Sequence, residues 1–413
     1  MSRLEKLIQQ FCPDGVEYKE LGAVATISRG GNFQKKDYVE NGFPCIHYGQ
    51  IYTKYNLFVN DVVSYISPQT AEKQKKAVHG DIVMAVTSEN IEDVCKCVAW
   101  LGSGEIAVSG HTAIIHHILE PKYLVYYLNS SVFYQQKLKL VQGTKVMEVS
   151  PDKLKKVKIP VPPMEVQREI VRILDQFTEL TAELTAELTA ELTARKKQYE
   201  YYSSFLLSGK QSEQPYQHVQ LNKFAKFTYG FTDKAKNEGH ARFLRITDID
   251  DNGCLRKDDA KYITLSDESR KYIVHKGDLL MARTGATYGK TLYVPDDTLA
   301  VYASFLIKIC LDNSVMLNRF YWHFAQSHLY WNQAIKLVSG GGQPQFNSGA
   351  IGRILVPVPS LEEQRRIVSI LDHFDALCND LTSGLPAEIQ ARRKQYEYYR
   401  DKLLTFGRSG SNE

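Results

Sequence analysis

The sequence predicts an α+β protein: two mixed, strand-rich domains separated by long helices that form an antiparallel coiled coil, the whole a tandem duplication with pseudo-twofold character. Three observations predict it. A proline-marked block recurs at a fixed offset, β-rich runs precede each copy, and an unbroken helical stripe follows the first copy.

The repeat comes first because it divides the chain. IPVPPMEVQREIVRILDQF at 159 to 177 returns as VPVPSLEEQRRIVSILDHF at 356 to 374, identical at 12 of 19 positions. Gln167 and Gln364 are thus 197 residues apart, and KKQYEYY at 196 to 202 recurs as RKQYEYY at 393 to 399 with the same offset. KLVQG at 139 to 143 echoes KLVSG at 336 to 340, and HGDIVMA at 79 to 85 echoes KGDLLMA at 276 to 282. Leu21, Ala25 and Gly30 match Leu221, Ala225 and Gly230 at an offset of 200, so a small length change separates the two registers. The expected parts are a first domain over 1–158, a central helical spacer over 159–208, a second domain over 209–355 and a C-terminal helical spacer over 356–413.

In the first domain VVSYI, DIVMAVT and TAIIHHIL are β-branched or aromatic runs bounded by turn residues, which predicts strands. Residues 123 to 141 and 319 to 338 carry helical periodicity and predict one amphipathic helix closing each domain. Pro160 with Pro162, and Pro357 with Pro359, fix an extended exit. From about Glu165 to Leu207 neither proline nor glycine interrupts the chain, and Val166, Ile170, Ile173, Leu174, Phe177, Leu180, Leu184, Leu188 and Leu192 form one apolar stripe. That predicts a helix of roughly 60 Å at ~1.5 Å per residue, too long to bury its stripe alone and so part of a coiled coil. In the second copy Gly384 and Pro386 divide the pattern into helices near 361 to 382 and 387 to 405. The two helical regions are expected to pack antiparallel, with the globular domains at opposite ends.

Residues 181 to 192 are three tandem TAEL units. Leucines four apart advance about 40° per step on a 3.6-residue turn, so the stripe winds slowly around the helix. Each unit adds about 6 Å, which makes the array a ruler: removing one unit should change the separation and rotation of the domains but neither of their surfaces.

Composition excludes several classes. No window approaches the ~18 uncharged apolar residues of a membrane span, and MSRLEKLIQQ lacks the apolar core of a signal peptide, so a cytoplasmic location is expected. Seven scattered cysteines without paired CxxC motifs point to reduced thiols, with Cys95 and Cys97 as strand residues rather than ligands. A net charge of +4 is compatible with nucleic acid but does not argue for it alone. RTGATYGKT at 283 to 291 has three residues between Gly285 and Gly289 where a phosphate loop needs four, and it leads into an expected strand. His111 and His116 fall on opposite faces of a strand, so no metal site is expected. No catalytic set is present: neither a Gly-rich loop opening a helix nor an Asn/Asp-Pro-Pro-aromatic signature resembling that of amino-group methyltransferases occurs, VPPM at 161 to 164 being the only near miss.

The paired PVP-x-x-E-x-Q-R-x-I-V-x-ILD-x-F blocks, the paired KQYEYY blocks and the TAEL array resemble the specificity subunits of type I restriction-modification systems, in the subclass with such repeats in the central helix. The resemblance implies two target-recognition domains, each reading one half of a bipartite, asymmetric site in double-stranded DNA. It further implies that the helices set the spacer and dock two methyltransferase subunits, joined by two ATP-driven translocase-nuclease subunits in the restricting complex. S-adenosylmethionine, ATP and magnesium would belong to those partners, and this chain would be non-catalytic.

Residues expected at DNA are polar or basic ones beside glycine, where backbone can approach phosphate and side chains can reach base edges. In the first copy these are Arg29, Lys35, Lys36, His111, Thr112 and Lys145, and in the second Arg283, Tyr288, Lys290, Gln343, Gln345 and Asn347. Leu180, Leu184, Leu188 and Leu192, with Tyr199, Tyr202, Tyr396 and Tyr399, are expected to carry spacer and partner docking, the tyrosines packing across the coiled coil and the neighbouring basic residues facing a partner or phosphate. The competing reading is a coiled-coil scaffold binding protein ligands through two domains; steeply salt-dependent DNA affinity separates the two.

Overall fold

The computed structural model describes residues 1–210, 212, 215–339, 344–379 and 384–407. They group into two compact units, Met1–Thr185 with Gln390–Glu413 and Ala186–Ile389. The first unit is therefore assembled from two separated stretches of chain, and the second from one continuous stretch.

The first unit holds two five-stranded sheets. One runs in the order Ala25–Arg29, Thr112–His117, Ile82–Ala85, Cys97–Trp100 and Phe58–Val59; the other in the order Tyr38–Val39, Tyr65–Ile66, Phe43–Ile46, Ile106–Val108 and Lys76–Ala77. Ile82–Ala85 is buried at every position, as a continuous apolar run in a central strand must be. The second unit repeats the plan with two four-stranded sheets: Ala225–Tyr229, Leu306–Leu311, Leu279–Ala282 and Thr291–Tyr293; then Tyr262–Ile263, Ala241–Leu244, Ala300–Tyr302 and Ile273–Val274. The repeated Gly-Asp before each central strand makes the same turn. Gly80 and Gly277 are left-handed, at φ 92° and 88°, and Asp81 and Asp278 accept the backbone N–H of Val78 and His275, each at 2.8 Å.

Proline does not simply stiffen each exit. Lys158–Pro160 pairs antiparallel with Tyr18–Glu20, and Leu355–Val358 with Gln217–Gln220, so each exit closes the domain onto its own entry strand. The single closing helix expected in each copy is instead two. Pro121–Leu128 and Ser131–Leu138 are separated at Ser130, whose hydroxyl caps the second helix by accepting the Phe133 N–H; Asn318–Gln326 and His328–Leu337 are separated at Ser327, whose ψ of 158° is extended. In both copies a serine whose hydroxyl donates to the carbonyl three residues back, Tyr127 or Phe324, interrupts the helix without breaking the 3.6-residue pattern that had joined the halves. Cys97 lies in a strand, but Cys95 does not: it occupies a left-handed turn at φ 67°.

The long helix spans Met164–Ser208, and two further helices span Leu361–Asn379 and Leu385–Leu403. Within each unit a helix leaving the domain meets a tyrosine-bearing helix running the other way. In the first unit Phe177 stacks on Tyr399 at 5.8 Å, and the Thr178 and Tyr396 hydroxyls lie 3.0 Å apart. In the second, Tyr202 stacks on Phe374 at 5.7 Å, and the Tyr199 hydroxyl lies 3.1 Å from His323 Nδ1.

The duplicated block holds these pieces together by hydrogen bonds that are themselves duplicated. Buried Gln167 accepts the Glu120 N–H at 2.9 Å and donates to the Pro162 carbonyl at 2.7 Å. Buried Gln364 accepts the Leu317 N–H at 2.8 Å and donates to the Val315 and Pro359 carbonyls. Asp175 takes Lys122 Nζ at 2.6 Å and the Tyr126 hydroxyl at 2.8 Å. Its counterpart Asp372 takes Arg319 Nε at 2.6 Å and His323 Nε2 at 2.7 Å. Burial pushes the His323 pKa down, and a neutral imidazole fits donation to Asp372 with acceptance from Tyr199. Burial alone would raise Asp372, but the His323 hydrogen bond and the Arg319 charge hold it below the ordinary carboxylate value.

Candidate nucleic-acid interface

In the first unit the strand ends of one sheet gather the polar side chains. Arg29 ends its strand, donates Nε to the Gly110 carbonyl at 3.1 Å and pairs through Nη2 with Glu148 at 2.5 Å. Exposed His111 follows; its Nδ1 lies 3.1 Å from the Thr87 hydroxyl and its ring 5.0 Å from Tyr48. Tyr48 in turn lies against His47 at 4.5 Å. Burial, then the neighbouring His111 and Lys35, lower the His47 pKa. Lys35 and Lys36 are exposed on the short turn Lys35–Asp37, and Lys145 is exposed between the bridged residues Gln142 and Glu148.

Thr112 does not belong to this surface. It is fully buried and donates its hydroxyl to the Ser109 carbonyl at 2.5 Å, which makes it a turn-former. The glycines beside Arg29 also have an internal reason: a Cβ on Gly30 would stand 2.1 Å from the Ser109 carbonyl, and one on Gly230 would stand 2.2 Å from that of Ala303. Close approach of two strands, rather than of phosphate, demands glycine there.

In the second unit Arg283 is half-buried, donates Nε to the Ser304 carbonyl at 3.0 Å and lies 5.4 Å from the rings of both Tyr229 and Phe305. Gln345 donates to the Thr284 hydroxyl at 2.8 Å. Asn347 serves as a helix cap, its Oδ1 accepting the Ala350 N–H at 2.9 Å. Tyr288 packs against Trp331 and Phe346, and Lys290 is tied to Asp251 at 2.6 Å. Gln343 lies outside the described residues.

Sequence reasoning missed His47, Tyr48 and Glu148 in the first unit and Tyr229, Thr284 and Phe305 in the second. Glu148 and Gln345 had a usable signal, since they occupy one position 197 residues apart, as do Thr87 and the buried Thr284; the others reach the surface only through tertiary pairing.

Of the helical residues, Leu184, Leu188 and Leu192 are half-buried and Leu180 is 62% exposed. Tyr199 and Tyr396 are half-buried in the polar networks described above, and Tyr202 and Tyr399 lie stacked on their phenylalanines. Among the described residues no helix is long and apolar enough to cross a membrane, and no cluster of His, Cys, Asp and Glu could hold a metal ion.

Comparison with known proteins gives one consistent result. A Haemophilus influenzae protein described as a type I restriction enzyme specificity subunit is 29% identical over 98% of each chain. The EcoR124I/EcoR124II specificity subunit of Escherichia coli is 34% identical, the match covering 61% of this chain and 63% of that one. Among solved structures, one from work on assembly and conformational transition of the type I R-M system aligns with a TM-score of 0.68 at 17% identity, covering 95% of this chain and 98% of the other. The HsdS subunit from Thermoanaerobacter tengcongensis aligns at 0.52 and 16% identity, covering 95% and 96%. Residues 13–194 and 213–391 each match the type I restriction modification DNA specificity domain, and with most of its length so matched the chain belongs to that family.

Proposed function

We propose that this chain is the DNA-reading subunit of a type I restriction-modification complex, each unit reading one half of a bipartite, asymmetric site. The observation that carries this reading is a duplicated scaffold with diverged strand ends. The two units repeat strand register and docking hydrogen bonds, yet Arg29, His111 and Glu148 in one stand where Tyr229, Phe305 and Gln345 stand in the other. One frame bearing two different sets of side chains suits two different half-sites.

The helices set the spacer, with the TAEL array as its adjustable part, and they dock two methyltransferase subunits; two translocase-nuclease subunits complete the restricting form. Similarity to a solved type I R-M system structure supports the assembly. S-adenosylmethionine, ATP and magnesium act in those partners, the chain works in the cytoplasm, and it contributes recognition rather than catalysis.

The test is genome-wide mapping of methylated bases in cells producing this chain with its methyltransferase, against a variant lacking Thr185 to Leu188. A two-part motif whose halves persist while the spacer shortens by at most about two base pairs is expected, from ~6 Å of helix and ~3.4 Å per base pair. Absence of any motif depending on this chain overturns the assignment, and salt-insensitive peptide binding would then favour a protein-binding scaffold.

A further inference from the structure

The two units each place one arginine at the same spot, and they do so from different strands. Strand register defines equivalent positions: Arg29 faces Ala113 as Tyr229 faces Ile307, and Thr112 faces Ala85 as Leu306 faces Ala282. The backbone bonds Val86 N–H to His111 and Arg283 N–H to Phe305, each 3.0 Å, extend the match, as do the parallel bridges Gly31 to Ser109 and Phe231 to Ala303. Gly110 and Ser304 are therefore one position. Arg29 donates Nε to the first of these carbonyls and Arg283 to the second, at 3.1 and 3.0 Å. Yet the counterpart of Arg29 is Tyr229, whose ring flanks Arg283, and the counterpart of Arg283 is the fully buried Val86. A lost arginine on one strand is matched by a gained one on the next.

Pinning Nε on one carbonyl fixes the plane of a guanidinium and leaves its far edge to face outward. In the first unit Glu148 holds one Nη2 hydrogen, which fixes the fork further; in the second Tyr229 and Phe305 hold the plane between two rings. Among the described residues nothing accepts from Arg29 Nη1 or from either Nη of Arg283. Two parallel N–H groups ordered before any ligand arrives match the O6 and N7 acceptors of guanine in the major groove.

We propose that Arg29 and Arg283 are specificity-determining residues, each reading a guanine in its own half-site from one shared position of the scaffold. This rests on the DNA-reading role proposed above. The experiment selects random duplex DNA with the full chain in complex with its methyltransferase and sequences what is retained. The unmodified chain should select a two-part motif with a fixed guanine in each half. Arg29→Ala should free the guanine of one half and Arg283→Ala that of the other, each erasing about a ten- to hundredfold preference and leaving the opposite half intact. If an alanine variant fails to fold, Arg29→Lys and Arg283→Lys keep charge and stem, lose the fork and should free the same positions. An unchanged motif with evenly weaker binding and a salt slope smaller by about one would overturn the proposal, because it marks phosphate anchors. If the unmodified chain selects no motif, the DNA-reading role itself fails.

Discussion

At the scale of single residues, the buried glutamine of each repeated block shows why that block stayed constant while the surfaces diverged. Gln364 satisfies one N–H and two carbonyls at a helix junction, and any apolar replacement strands all three. Gln364→Leu should lower stability by about 1 to 3 kcal/mol in chemical denaturation. His117 makes a pH prediction. Burial pushes it down to about 4, and its Nδ1 accepts the Leu119 N–H at 3.2 Å. The unfolded chain takes a proton near pH 6.5 while the folded one refuses it, so stability is full above that pH and falls as pH drops towards 4. The stability of the native chain relative to His117→Asn, measured by urea titration at pH 7 and pH 5, should fall by about 2 kcal/mol at the lower pH, and a pH-independent difference would refute it. Gln364 was legible as an identity 197 residues from Gln167, whereas the Arg29 to Glu148 pair was not, because its partners are 119 residues apart in the chain and no periodicity links them. Thr112 and Asn347 were read as ligand contacts because a hydroxyl or amide that closes a turn is the same residue type as one that meets a base.

For the helical elements, the sequence stripe and the buried stripe differ for a geometric reason. On an ideal helix Leu180 lies about 120° from Leu174, and the four-residue steps bring Leu192 back into line with it. Leu174 is fully buried and Leu180 is 62% exposed, as that rotation requires. Leu174→Ala should therefore cost about 2 to 5 kcal/mol in thermal or chemical melts, and Leu180→Ala under about 0.5 kcal/mol. Equal losses would mean the whole stripe is packed. The existence and length of the long helix were plain from the uninterrupted run between about Glu165 and Leu207, but the burial of its leucines depends on which neighbours reach them, and repeat spacing says nothing of that.

At the scale of the whole molecule, the interlaced chain makes an unusual prediction. Removing the residues from Gln390 onward deletes the C-terminal end of the protein but should weaken its first domain, because Leu404 is fully buried in that core and Tyr18 and Tyr396 bond across the junction. Hydrogen exchange should speed up in Ile82–Ala85 and Thr112–His117 of the truncated chain and leave Leu279–Ala282 protected; the opposite pattern would show that the units are not built as described. The repeated blocks made the duplication and the helices readable, but which helix end completes which domain follows only from three-dimensional pairing.

The same closure bears on how the chain is made. Val16 donates its N–H to the Gly407 carbonyl at 2.9 Å, and Leu4, Ile8, Ile173 and Phe177 line an apolar groove with Tyr399, Leu403 and Phe406. On a ribosome the roughly 200 residues between Thr185 and Gln390 take about 10 to 40 s to synthesise, and throughout that time the groove waits for its last helix. The second unit has no such delay, because Tyr199 and Leu207 emerge before the strands they will pack against. The domain translated first is therefore the one finished last.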